Sequence, residues 1–164
     1  MTDKAMAVYL NDHLAGAMFG SELARQIESQ TAGTPLAARI GELATQIEDD
    51  QRGLSDLMER MGVAKNPVKQ ATTWLAEKVS RVKLTGVSAG GSEISLFTAL
   101  ETLALGVEGK ASLWRMLTHV AERYPALDAS QLEVLIGRAE AQREALEAER
   151  AATGRRVFSG ADSE

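Results

Sequence analysis

Four polar residues stand where a helical bundle would place apolar ones, and together they offer an imidazole, a carboxylate, an ammonium and an amide. Written in alternating steps of three and four, the first apolar stripe runs Met6, Leu10, His13, Ala17, Gly20, Ala24, Ile27. The second runs Leu36, Ile40, Leu43, Ile47, Asp50, Leu54, Leu57, Met61. The third runs Leu96, Leu100, Leu103, Val107, Lys110, Trp114, Leu117, Ala121, and the fourth Leu132, Leu135, Ala139, Gln142, Leu146. Each stripe should be apolar throughout. His13, Asp50, Lys110 and Gln142 interrupt one stripe each. Two chemistries follow. Asp50 and Lys110 can pair, with His13 and Gln142 completing the hydrogen bonds, in a network that fixes register and partner helix with little net stability. Alternatively the four groups form a ligand site, with Lys110 as counter-charge for a small anionic or polar molecule. Within that second reading, His13 and Asp50 could serve as ligands of a weak metal site, with Glu48 or Asp49 beside them.

The elements that must position these groups can be read from breakers and caps. A first helix spans about Thr2 to Gln30 and is broken by Thr31-Ala32-Gly33. Thr34-Pro35 restarts the chain as N-cap and first helical residue, and Gly62 stops the second helix. Asn66-Pro67 opens a shorter helix, 67–84, followed by a loop from Thr85 to Gly91. Ser92 caps a long helix ending at Tyr124-Pro125, and Asp128 or Ser130 opens the last, which fades near Thr153-Gly154. Residues 155–164 read as a frayed tail, leaving one domain over 1–154. Four long helices with a short one between two hairpins predict an all-α, ferritin-like four-helix bundle with an additional short crossover helix. With that topology the four polar positions fall within roughly 9 Å of one level.

Composition narrows the function classes. The 164 residues are 45% hydrophobic and only 4% aromatic, with a net charge of −5 and no cysteine. Disulfides, thiolate catalysis and zinc–thiolate sites are excluded, and the charge offers no general affinity for nucleic acid. No Gly-x-Ser-x-Gly elbow occurs and neither His13 nor His119 has a placed nucleophile, so no catalytic residue and no cofactor is assigned. The longest stretch without a charged side chain, Ser29 to Ala38, is far short of the roughly 20 residues that span a bilayer. No apolar leader precedes it, and the expected compartment is the cytoplasm. The 67–84 helix is basic, with Lys69, Lys78, Arg81 and Lys83 against Glu77. Its basic side faces either the acidic second helix or, less simply, a membrane surface or acidic partner. Self-association as a homodimer through a spare apolar strip is a further expectation.

Glycines flank the polar layer. Gly16-x-x-x-Gly20 and Gly106-x-x-Gly109 lie inside helices, where each costs up to about 1 kcal/mol relative to alanine. Close helix contact is the expected reason, and room for a ligand beside His13 and Lys110 is the alternative. The loop from Gly86 to Ser92 lacks the Gly-Lys-Ser/Thr end of a phosphate loop and reads as a hinge.

Two segments, Tyr9-Leu10-Asn11-Asp12-His13-Leu14-Ala15-Gly16-Ala17 and Leu100-Glu101-Thr102-Leu103-Ala104-Leu105-Gly106-Val107-Glu108-Gly109-Lys110, resemble a family of uncharacterised bacterial ferritin-like four-helix-bundle proteins. The wider ferritin-like resemblance implies a di-iron oxidase or storage activity. Such sites use inward Glu and two Glu-x-x-His motifs, and neither histidine of this chain completes one. Glu101, Glu108, Arg115 and Glu122 recur every seven residues opposite the apolar stripe, where a solvated face is expected. The resulting expectation is a non-catalytic structural or interaction bundle with a buried polar layer. The alternative is a metal-binding or small-ligand-binding bundle with its site at the centre.

Overall fold

Capping residues divide the chain where the sequence suggests. In a computed structural model, which describes residues 3–66 and 93–159, four long helices carry nearly all of the chain. Helix α1 (Lys4–Gln30) starts at Asp3, whose carboxylate accepts from the Met6 N–H. Helix α2 (Pro35–Arg60) is capped by Thr34, with Pro35 in the first turn, and Gly62 just beyond it adopts φ of +67°. That left-handed conformation suits glycine and closes the helix C-terminus. Helix α3 (Glu93–His119) is followed by a 3-10 turn (Ala121–Arg123), and α4 (Ala129–Phe158) is capped by Asp128. The basic helix expected over 67–84, the glycine loop after it and the Ser92 cap lie outside the described residues.

Contacts at the helix ends set the topology. Asn11 of α1 is buried and its side chain donates to the Ala64 carbonyl (3.1 Å) and accepts from the Asn66 N–H (2.9 Å). The end of α2 is thereby pinned beside the start of α1. The Tyr124 hydroxyl, beyond α3, donates to Asp3 (3.2 Å) at the same end of the bundle. At the opposite end Arg39 of α2 pairs with Glu149 of α4, and Arg156 of α4 pairs with Glu93 of α3 (2.9 Å). Helices α1 and α4 therefore run one way and α2 and α3 the other. Helix α2 finishes at one end of the bundle and α3 begins at the other.

Leu10, Leu23, Ile40, Met58, Leu103 and Leu146 are among the fully buried side chains at the centre of this bundle. Among the described residues no helix is long and apolar enough to cross a membrane. The last helix differs from expectation. It does not fade at Gly154 but runs to Phe158, so that residues 155–158 belong to the bundle and not to a frayed tail. The reason is packing: the Phe97 ring lies against α4, where a Cβ at Gly154 would stand 2.9 Å from it. Phe158 meets Phe97 edge-on (5.4 Å between centroids), and the Arg150 guanidinium lies over the same ring. Gly154 is thus a seat for an aromatic ring.

Candidate functional site

Three of the four stripe-interrupting residues meet. Asp50 on α2 is 2% exposed, and its carboxylate is shared by groups from two other helices. The Lys110 ammonium of α3 donates to Asp50 Oδ2 (2.6 Å) and to the Gln142 side-chain carbonyl of α4. The Gln142 amide donates to the same Oδ2 (3.0 Å) and to Gln46 Oε1 (3.3 Å). Arg138, one turn before Gln142 on α4, donates to Asp50 Oδ1. Both carboxylate oxygens are therefore occupied, and one anion lies between two cations. Burial lowers the Lys110 pKa from the ordinary lysine value of 10.5; the Asp50 charge raises it and the Arg138 charge lowers it further.

His13 does not join this network. It is half-buried on α1, edge-on to the Tyr9 ring (4.6 Å), and burial pushes its pKa below the usual 6.5 against the upward pull of Asp12. What it shares with Asp50 and Lys110 is a cavity of about 440 Å³ between α1 and α3. That volume lies within the range of small-molecule sites, about 300–1,000 Å³. The walls are mostly apolar, with Phe19, Ile47, Leu54, Leu103 and Trp114 among them, and Asp12 lies on the rim.

The glycines make this space. Gly16, Gly20, Gly106 and Gly109 all line it. A Cβ added at Gly16, Gly106 or Gly109 would meet nothing within 4 Å, and one at Gly20 would only touch Ile47 at 3.9 Å. The expectation of close helix contact at these positions is overturned: their missing side chains leave a gap. Trp114, one turn below Lys110, is 1% exposed and its indole N–H has no partner among the described residues. A buried donor without an acceptor carries an unrecovered desolvation cost.

Sequence reasoning missed Arg138, Gln46 and the Trp114 donor. Arg138 was read as part of a solvated face with Arg143, Glu140, Glu144 and Glu147. Its signal, and that of Gln46, is a spacing of one helical turn from a buried polar residue: 138 from 142, and 46 from 50. The acidic neighbours of Asp50 are engaged elsewhere, Glu48 with Arg25 (2.7 Å) and Asp49 with Arg52. Among the described residues no three His, Asp or Glu side chains are grouped to hold a metal ion. Arg115 pairs with Glu108 and Glu140 (3.1 Å each) on the outer face, as the seven-residue repeat suggests. No family model matches the sequence, and no curated protein or solved structure does.

Proposed function

We propose that this chain is a non-catalytic binding protein for a small, largely apolar molecule seated between α1 and α3. The observation that carries this reading is the cavity bounded by four glycine faces, none of them in close contact with a neighbour. Glycine inside a helix is destabilising, and here no tight helix contact offsets that cost. The Asp50–Lys110–Gln142 network forms part of the cavity wall and ties α2, α3 and α4 together. A structural role for the network and a binding role for the cavity are compatible, since a rigid wall preorganises a site. The order of helix directions supports the ferritin-like arrangement as the finer description of the bundle.

The test uses a neutral fluorescent reporter of apolar sites, N-phenyl-1-naphthylamine. Saturable binding is expected to the full chain, and Gly109→Leu, which projects a side chain into the space, should abolish it while the protein still melts cooperatively. Gly137→Ala, on α4 and outside the cavity wall, should bind as the parent does. No saturable signal, or the same affinity in Gly109→Leu, would sink the reading.

A further inference from the structure

The cavity offers hydrogen-bond donors without acceptors, and this imbalance specifies what would fill it. Lysine has three N–H donors. Two of those on Lys110 are taken by Asp50 and Gln142, while the residue lines the cavity, so the third has no acceptor among the described residues. The Trp114 N–H is unpartnered as well, on the same helix face four residues on. Asp50 cannot serve either donor further, because Lys110, Gln142 and Arg138 already occupy its oxygens. The buried cluster is also unbalanced in charge, with one carboxylate between an ammonium and a guanidinium. Asp12, the other acid of the wall, is exposed to solvent at the rim, where its charge is screened.

We infer that the ligand is an amphiphilic carboxylic acid, its carboxylate bridging the Lys110 ammonium and the Trp114 indole N–H and its apolar body lying along the glycine faces. This inference rests on the binding reading above. An acceptor with negative charge satisfies both donors and neutralises the surplus cation in one step. Charge-assisted hydrogen bonds are roughly twice as strong as neutral ones, so the head group would discriminate strongly against an uncharged analogue.

Displacement of the neutral reporter by decanoate and by decanol separates the inference from the reading beneath it. Decanoate is expected to compete at least about tenfold more tightly than decanol. Trp114→Phe keeps the ring and removes only the donor. It should reduce the acid's advantage to about threefold or less, with decanol unchanged. Lys110→Met should remove the advantage, provided a melting curve shows it folded; Trp114→Phe carries the test if it is not. Equal competition by decanol and decanoate, or an advantage that survives Trp114→Phe intact, overturns the carboxylate while leaving the cavity as a binding site. Failure of the reporter itself to bind removes both.

Discussion

Helix α1 meets its two neighbours in opposite ways. Against α2 the seam is knit by side chains: Arg25 makes a bidentate pair with Glu48 (2.7 and 2.8 Å) and reaches Glu28 (2.8 Å). Ser21 donates to Gln51 across the same seam (2.7 Å). Gly41 belongs to this closed side, since a Cβ there would overlap the Glu28 carboxylate. Against α3 the seam is open, with glycines on both helices and nothing in the space a Cβ would enter. Leu105, on the mouth of the cavity, is 70% exposed instead of being tucked across the gap. The same residue type thus serves close approach on one side of α1 and vacancy on the other. A glycine reports a missing side chain; the large residues opposite decide whether a neighbour takes the space.

The largest effect should come from the polar wall of the open seam. Lys110→Met leaves the Asp50 carboxylate buried with one cation fewer. Removing one partner of a buried ion pair costs about 3 kcal/mol or more. Arg138 softens the loss because it also holds Asp50. Urea denaturation should show the double change Asp50→Asn with Lys110→Met to be less harmful than the sum of the singles by at least about 1 kcal/mol. Strict additivity would mean that the network seen here does not couple the helices. The pH dependence has a definite sign. The folded-state pKa of Lys110 is lowered by burial, so its desolvation cost is fully present at neutral pH, where folded and unfolded chains both hold the proton. As pH rises through the lowered value toward 10.5, the unfolded chain binds more protons and the parent should gain stability relative to Lys110→Met.

That network was largely legible in the sequence, and the cavity beside it was not. Asp50, Lys110 and Gln142 stand out because helical period forces them inward, and their common level follows from the helix directions. The caps at Thr34 and Asp128 and the stop at Gly62 were readable for a similar reason: each is a local rule about unpaired backbone groups. Arg138 escaped because it sits on the flank of its stripe, where a long side chain can face water or turn inward at nearly equal cost. His13 interrupted its stripe like the others, yet it faces the gap and stays out of the network. The extent of α4 was misjudged because Gly154 looks like a stop until Phe97 is seen lying on it. A cavity is a relation between distant helices, and no residue type encodes it alone.

The glycines give the next effect in size, and they sharpen the contrast directly. Gly106→Ala and Gly109→Ala should each raise stability by up to about 1 kcal/mol, since alanine is the better helix former and its methyl meets open space. At Gly41 the same substitution should yield little or nothing, because the new methyl must displace Glu28 from its place beside Arg25. Thermal melts of the three variants would decide it. A loss of stability at 106 and 109 would mean that α1 and α3 close on each other there in solution.

The smallest effect belongs to the closed seam, although its ion pair has the better geometry on paper. Arg25→Ala removes a bidentate contact that holds the Glu48 carboxylate below its ordinary pKa. Both side chains remain about a third exposed, so water and salt compete for them throughout. Exposed pairs of this kind are worth about 0.5 kcal/mol. That cost should shrink further as ionic strength rises, because the Debye length falls from about 10 Å at 0.1 M to about 3 Å at 1 M. The loss from Lys110→Met should persist over the same salt range, since its carboxylate is shielded from counterions by three helices. Measuring both variants at low and high salt would therefore separate the two seams by screening alone. Equal salt sensitivity would place Asp50 in contact with solvent, and the wall of the cavity would then be wet.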